Sequence, residues 1–401
     1  MSTSILYHAF GIRNVKYYRT NYENGKIIID AVMTRKLAVC PECKSSNTIY
    51  KGAMTRRFRM VPIGGRKVFL DLVVHRLFCL DCGAVRWPQL PFADPRCSYT
   101  RAFARFVLEL LHHMTITSVA LNLGVGWDMV KNIHKQALQR RYKHIRLKDV
   151  RYIGIDEFSM KKGRVYMTTV VDLREGRILH AVPGKGGDDI IPFLRTLARK
   201  AKKLKAVAMD INNGYIWAVR KILPKVQIVF DHFHISALIN RAIDECRREV
   251  QAELDRMGRK TIKGCRFLLL QNYESLPEER RARLKRLLKD NHPLLVMHTM
   301  KEQLREFWNL EGFKKAEAFL AAWCRDAMNS GIKQLMRVGK TLALYRTGIL
   351  NYFRHRISSG IVEGINNKIK TMKRQAYGFR DIEYFKLRLY HLHEQRYCLA
   401  G

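Results

Sequence analysis

Four cysteines fall into two CxxC knuckles, Cys40 and Cys43 in AVCPECKSS and Cys79 and Cys82 in LFCLDCGAV. Thiolates on two such turns can be presented tetrahedrally to one zinc ion, which would tie together a basic module too small for a deep core of its own. Gly83, ending the second knuckle, permits the left-handed backbone that wraps around a metal-bound sulfur. The interval between the two pairs is longer than in the commonest zinc ribbons. Cys97, Cys246, Cys265, Cys324 and Cys398 stand alone and read as small buried hydrophobes. The odd total of nine argues against a disulfide framework.

A second set of residues is acidic. Asp156 ends or nearly ends the strand-like run YIGIDEF, Asp210 terminates the strand-like KAVAMD, and Glu363 lies where the helix of IVEGINNKIK begins. Adjacent parallel strands ending at one sheet edge would bring both aspartates to the same divalent ions, and a docked helix would bring the glutamate. Three carboxylates around two Mg²⁺ or Mn²⁺ ions can stabilise the attacking and the leaving oxygen of an in-line phosphoryl displacement. Strand alternation turns Glu157 to the face opposite Asp156. Asp172 reads as a strand-end cap, and Asp188 and Asp189 as caps of the helix that follows GKGG.

The chain of 401 residues carries 74 lysines and arginines against 35 acids, a net charge of +39. Self-repulsion of that size is tolerable when a polyanion lies against the surface, and nucleic acid is the commonest one. No apolar run approaches the ~18 residues of a membrane span, and the opening residues lack the pattern of a signal peptide. The expected location is therefore the cytoplasm, against the bacterial nucleoid. Within KGAMTRRFRMVPIGGRK, Arg56, Arg57 and Arg59 have no acid beside them, which fits either a solvated edge strand or phosphate contact. TSVALNLGVGWDMVKNIHKQAL places Val119, Ala120 and Leu123 on one short helix, Gly124 at a turn, and Val130 and Ile133 on the next. That is helix-turn-helix spacing, with Trp127, Lys131, Asn132 and Lys135 left to face a major groove. After Glu363, Asn366, Asn367, Lys370, Lys373 and Arg374 form a one-signed face, where a plain solvated helix would mix signs. It reads as a phosphate track that Tyr377, Phe379 and Arg380 could extend. Most aromatics between Phe307 and Trp323 read as core, and Trp308 is the one assigned to stacking on an extruded base.

These groups require four kinds of scaffold in succession. Residues 1–90 read as a β-rich zinc-binding module and 91–148 as a helix-turn-helix domain. Residues 149–235 alternate strands and helices. Residues 236–350 are helical and charged, with Leu284, Leu287 and Leu288 on one face. Residues 351–401 carry the glutamate helix. The fold class is thus multidomain α+β and α/β.

The cysteine quartet, the helix-turn-helix, GIDEFSMKKGRVYMTTVVDL, AMDINNGY with VFDHFHI, and IVEGINNKIKTMKRQAYGFRD resemble, in order and over nearly the whole chain, the ISL3 family of bacterial insertion-sequence transposases. The resemblance implies an RNase H-like DDE core interrupted by an all-helical insertion before its last catalytic helix. It implies that Asp156, Asp210 and Glu363 are the catalytic acids, and that Asp231 and His234 form a supporting Asp-x-x-His motif. It further implies metal-dependent cleavage of DNA at terminal inverted repeats and strand transfer to target DNA, by a homodimer or higher oligomer. Two other classes compete: a non-catalytic zinc and helix-turn-helix regulator, which would bind DNA without nicking it, and an RNase H-like nuclease, which would nick without joining.

Overall fold

The computed structural model describes residues 5–161, 165–257, 264–358, 360–376 and 378–394. Tyr377 and Cys398 lie outside the described residues. Contacts divide the chain into two compact units, one ending at residue 143 and the other spanning residues 144–394. Among the described residues no helix is long and apolar enough to cross a membrane.

The first unit opens with α1 (Ile5–His8) and continues through β1 (Val15–Glu23), β2 (Lys26–Met33), β3 (Thr48–Ile63), β4 (Arg66–Cys79) and β5 (Val85–Arg86). The sheet order is β1-β2-β4-β3, with β5 paired to β4. β3 and β4 form a hairpin whose turn residues, Gly64 and Gly65, sit at φ 54° and 79°. Positive φ at both centres is the geometry that matches strand twist in a two-residue turn. Alternate residues of β4, Val68, Leu70, Leu72 and Val74, are buried against Phe58 and Met60. The basic stretch becomes β3, an edge strand of this sheet.

Three helices follow, α2 (Arg101–Leu110), α3 (Ile116–Leu123) and α4 (Trp127–Arg141). Thr100 and Thr115 cap α2 and α3 by accepting from Phe103 N and Ser118 N, which satisfies amides the helix cannot. Gly124 ends α3 in the left-handed region, φ 58° and ψ 50°. Phe103, Val107, Val119, Ala120, Leu123, Val130 and Ile133 form the core between the helices.

The second unit contains β6 (Tyr152–Lys161), β7 (Val165–Asp172), β8 (Arg177–Pro183), α5 (Gly187–Lys200), β9 (Ala206–Met209), α6 (Asn213–Ile222) and β10 (Gln227–Phe230). Sheet order is β10-β9-β6-β7-β8. β6, β7 and β8 pair antiparallel, while β9 and β10 run parallel to β6, the RNase H-like arrangement. The helical region then runs through α7 (His232–Arg256), α8 (Arg266–Leu270), α9 (Glu278–Lys289), α10 (His292–Phe307), α11 (Phe313–Asn329), α12 (Lys333–Leu344), α13 (Arg346–Leu350) and α14 (Tyr352–His355). Its buried residues, among them Ile239, Leu304, Trp323 and Leu342, join one continuous cluster with Ile155, Val170 and Met209 of the sheet. The helices thus share a core with the strands. α15 (Gly360–Gln375) and α16 (Ile382–His391) close the unit.

Asp156 does not end its strand, as the sequence suggested. β6 continues past it, with Asp156 opposite Thr169 of β7. The parallel neighbour β9 stops at Met209, opposite Ile155, so it is the end of β9 that opens the sheet beside Asp156.

Candidate metal centres and nucleic-acid surfaces

The two cysteine knuckles are built alike. Cys40 N donates to Ser45 O and Lys44 N to Cys40 O; Cys79 N donates to Ala84 O and Gly83 N to Cys79 O. Lys44 and Gly83 occupy equivalent positions with φ 64° and 67°, so only one of the two turns uses the glycine that sequence reasoning relied on. All four sulfurs lie within 4.8 Å of one another. Cys40 and Cys82 are 3.7 Å apart and Cys43 and Cys79 are 3.5 Å apart. A tetrahedral ion with Zn–S bonds of ~2.3 Å requires sulfur separations of ~3.8 Å, whereas a disulfide would need ~2.05 Å. The quartet does not shift as one: the backbone amide of Cys43 is the main influence lowering the Cys40 thiol to about 7, while the Cys43 and Cys82 thiols are raised, so it is the sulfur geometry that matches a metal site. The residues fit zinc. Cys246, Cys265 and Cys324 are buried and Cys97 is half-buried.

On α4, Trp127 and Asn132 are exposed and Lys131 and Lys135 half-buried. The Lys131 ammonium lies 5.7 Å from the Trp127 ring centroid. The basic strand behaves differently. Arg59 is 4% exposed, so it offers no surface to a phosphate and that assignment is corrected. Its guanidinium donates to Val68 O at 3.2 Å and to Leu123 O at 3.0 Å, between the rings of Phe69 and Phe103. It joins β3 and β4 to the end of the first recognition-motif helix. Arg57 donates through both arms of its fork to Asp71, at 2.7 and 2.6 Å. Cross-strand register sets Asp71 directly opposite Arg57, an acid that the linear stretch did not reveal. Arg56 is half-buried and donates to Cys97 O at 3.2 Å.

In the second unit, the register Ile155↔Met209 makes Asp156 and Asp210 the next residues of two paired parallel strands. Such strands lie ~4.8 Å apart. Asp156 Oδ1 accepts from Glu157 N at 2.7 Å, and Oδ2 accepts from Asn366 Nδ2 at 2.6 Å. Burial, then the Asp210 charge, pushes the Asp156 carboxyl up to about 6. Asp210 Oδ1 lies 2.6 Å from His234 Nε2, and this hydrogen bond is the chief cause raising the His234 imidazole above its ordinary value. Asp231, 3% exposed, caps α7 by accepting from Phe233 N at 3.3 Å. Asp210, Asp231 and His234 have ligand atoms within 4.8 Å of one another. Two carboxylates side by side at a sheet edge, one of them largely buried, are what a hard divalent cation relieves, and a donor set with two carboxylates suits Mg²⁺ or Mn²⁺.

Glu363 lies in the first turn of α15 and is exposed. It does not join that three-residue group, nor does Asp156. α15 nevertheless lies on β6: a Cβ at Gly154 would run into Val362, Asn366 reaches Asp156, and Lys373 Nζ donates to Ser159 O at 2.6 Å. Lys373 is therefore committed to the strand rather than to a phosphate track, while Asn367, Lys370 and Arg374 are exposed. Asn366, expected on that track, is 8% exposed. The Glu157 carboxyl is raised by burial, with a hydrogen bond to Tyr215 of α6 opposing and the Asp210 charge adding to the shift. Asp172 accepts from Arg174 N and Asp189 from Gly186 N, both as caps. The Trp308 ring packs among Phe307, Tyr352, Phe353 and His232, with centroids 4.9 to 6.4 Å away.

A four-thiolate β module, a helix-turn-helix and an RNase H-like sheet with an acidic edge together define a DNA transposase. Residues 36–82 match the zinc-finger of transposases IS204/IS1001/IS1096/IS1165, residues 88–138 the helix-turn-helix domain of transposase family ISL3, and residues 153–389 the family's DDE transposase domain. The chain belongs to the ISL3 family of transposases, DNA-binding enzymes that cleave and transpose DNA with divalent metal. It is 33% identical over 360 residues, 89% of each chain, to the transposase for insertion sequence element IS1001 of Bordetella parapertussis. It is 26% identical over 397 residues, 92% of this chain and 89% of the other, to the transposase for IS1557 of Mycobacterium tuberculosis. A Drosophila P element transposase strand transfer complex aligns over 74% of this chain and 92% of the other, at 12% identity and a TM-score of 0.37.

Proposed function

We propose that this transposase binds the terminal inverted repeats of its own insertion sequence through the first unit, frees a 3′-hydroxyl in the second, and directs that hydroxyl at target DNA. The observation that carries the catalytic reading is the register that sets Asp156 and Asp210 side by side where β9 stops. Asp156, Asp210 and Glu363 would hold two ions, Mg²⁺ or Mn²⁺, which supply charge stabilisation to the attacking and leaving oxygens. His234, bonded to Asp210, fixes the orientation of that carboxylate, and Asp231 fixes His234 by capping the same helix. Trp127, Lys131, Asn132 and Lys135 present α4 to the major groove, and Asn367, Lys370 and Arg374 guide the DNA end beside Glu363. Trp308 stacks on a base extruded at the cut. Two ends must be cut and joined together, so the working species is a homodimer or larger on DNA, at the nucleoid in the cytoplasm.

The test is an end-cleavage and strand-transfer assay on DNA carrying the element's terminal repeats, with Mg²⁺ or Mn²⁺. Asp156→Ala, Asp210→Ala and Glu363→Ala should each lower product by on the order of 10³-fold while repeat binding persists. Joined products at the wild-type rate in any of the three would remove that residue from the site. Binding without nicking in the wild type would favour a regulator, and nicking without joining a nuclease. The same assay with Trp308→Ala at unchanged rate would end the stacking assignment.

A further inference from the structure

Asn366 stands out among the polar residues of α15 because it is buried, 8% exposed, and its amide nitrogen meets Asp156 Oδ2 at 2.6 Å. Ionised carboxylates only accept hydrogen bonds, so the nitrogen and not the oxygen of the amide must face Asp156. The other amide atom, Oδ1, is buried without a hydrogen-bond partner among the described residues. A buried acceptor left unsatisfied works against folding, so packing alone gives no reason for an amide at this position. The contact also spans 210 positions of sequence, joining the strand that bears one proposed metal ligand to the helix that bears another. Val362 against Gly154 and Lys373 on Ser159 O flank it on the same strand. Neither flanking contact touches a carboxylate.

We propose that Asn366 is a positioning residue of the transposition site: its amide donates to Asp156 Oδ2, fixes that carboxylate's orientation, and sets the register of the Glu363 helix against β6. The inference rests on the reading of Asp156 as a metal ligand. Glu157 N occupies Oδ1 as Asn366 occupies Oδ2, so the rotation of the carboxylate is determined from both sides and its remaining lone pairs point in fixed directions. Removing the donor leaves Asp156 in place but free to turn. Partners that orient ligands in this way typically change metal affinity or activity by ~10–100-fold.

The discriminating variant is Asn366→Leu, which keeps the branched shape, removes the donor and removes the orphan acceptor. The purified full-length protein is assayed for thermal unfolding, for terminal-repeat binding without added Mg²⁺, and for end cleavage over a titration of Mn²⁺ and Mg²⁺. The expected result is a retained cooperative unfolding transition and unchanged repeat binding, with cleavage reduced ~10–100-fold and a half-saturating metal concentration raised by a similar factor. Asn366→Gln, which retains a donor, should recover part of the lost cleavage. Wild-type cleavage and metal dependence in Asn366→Leu overturn the proposal, as does a lowered unfolding temperature with an unshifted metal midpoint, which marks a packing role. Asp156→Ala is run alongside: loss of cleavage there with none in Asn366→Leu defeats the positioning role alone, whereas full cleavage in Asp156→Ala defeats the reading beneath it.

Discussion

The four-cysteine centre and the acidic site differ in how they come together. Each cysteine pair sits on a turn closed by its own local hydrogen bonds, and the β3–β4 hairpin links the two turns, with Thr48 opposite Cys79. All four sulfurs are within 4.8 Å of one another. The acidic site draws on β6, the end of β9, the start of α7 and, more than 130 residues beyond Asp231, α15. Only Asp210, Asp231 and His234 gather to within 4.8 Å. Four thiolates gathered on one hairpin's ends suit an ion that holds a fold; a carboxylate set spread over several elements suits ions that arrive with a substrate and complete the geometry then.

The largest effect should come from the four-cysteine centre. Structural zinc contributes ~10–16 kcal/mol of apparent binding energy in small peptides, more than a module of this size can lose. Cys79→Ser should take the zinc content from about one per chain to none, abolish cooperative unfolding of the first unit, and eliminate terminal-repeat binding. Metal analysis and calorimetry of the variant check this. Zinc-free protein with the wild-type unfolding profile would reduce the cysteines to ordinary core residues and erase the contrast with the acidic site.

The same contrast decides what the sequence made legible. Two CxxC knuckles, a glycine turn between Leu123 and Val125, and the period-two run of β4 are local signals, and each names its own partner or its own bend. Asp156 and Asp210 were legible as residue types, because each carboxylate follows an apolar run; that β6 runs on past Asp156 was not, because its continuation is dictated by pairing with β7. Sign counting along the chain misled in three places for one reason. Arg57 meets Asp71 from the neighbouring strand, Arg59 meets only backbone carbonyls, and Lys373 meets Ser159 O. A cation's partner across a sheet or beneath a helix is invisible to a window of sequence. Asn366 carried a faint signal, being three residues after Glu363 and so on the neighbouring surface of the helix.

A second prediction has the opposite sign to the zinc one. Asp156 holds its proton to about pH 6 in the fold, whereas an unfolded aspartate releases it near pH 4. A raised carboxyl stabilises the folded state below the unfolded value, and that stability is lost as pH climbs through the window from about 4 to about 6. Two units correspond to roughly 2–3 kcal/mol. Without added Mg²⁺, Asp156→Asn should therefore match wild type in stability near pH 4, exceed it by that amount above pH 6, and still fail to cleave. Urea unfolding across pH 4–8 measures the difference. A flat difference would mean that the acidic edge is not strained in the absence of metal, and the two centres would then be alike.

The smallest effects separate exposed from committed cations. Lys370 and Arg374 are exposed on α15, and each phosphate contact releases about one counterion, so removing one should lower the slope of log affinity against log salt by about 0.9. Lys370→Ala should accordingly weaken repeat binding modestly, equally for unrelated DNA, and flatten its salt dependence. Arg57→Ala should leave that slope unchanged, because its fork is already closed on Asp71 and releases no ion when DNA arrives. Titrations of both variants from 50 to 200 mM salt, the range over which such slopes are resolved, compare them directly. If Arg57→Ala flattens the slope and Lys370→Ala does not, DNA must break the Arg57–Asp71 pair, and the phosphate path would pass over the basic hairpin instead of the glutamate helix.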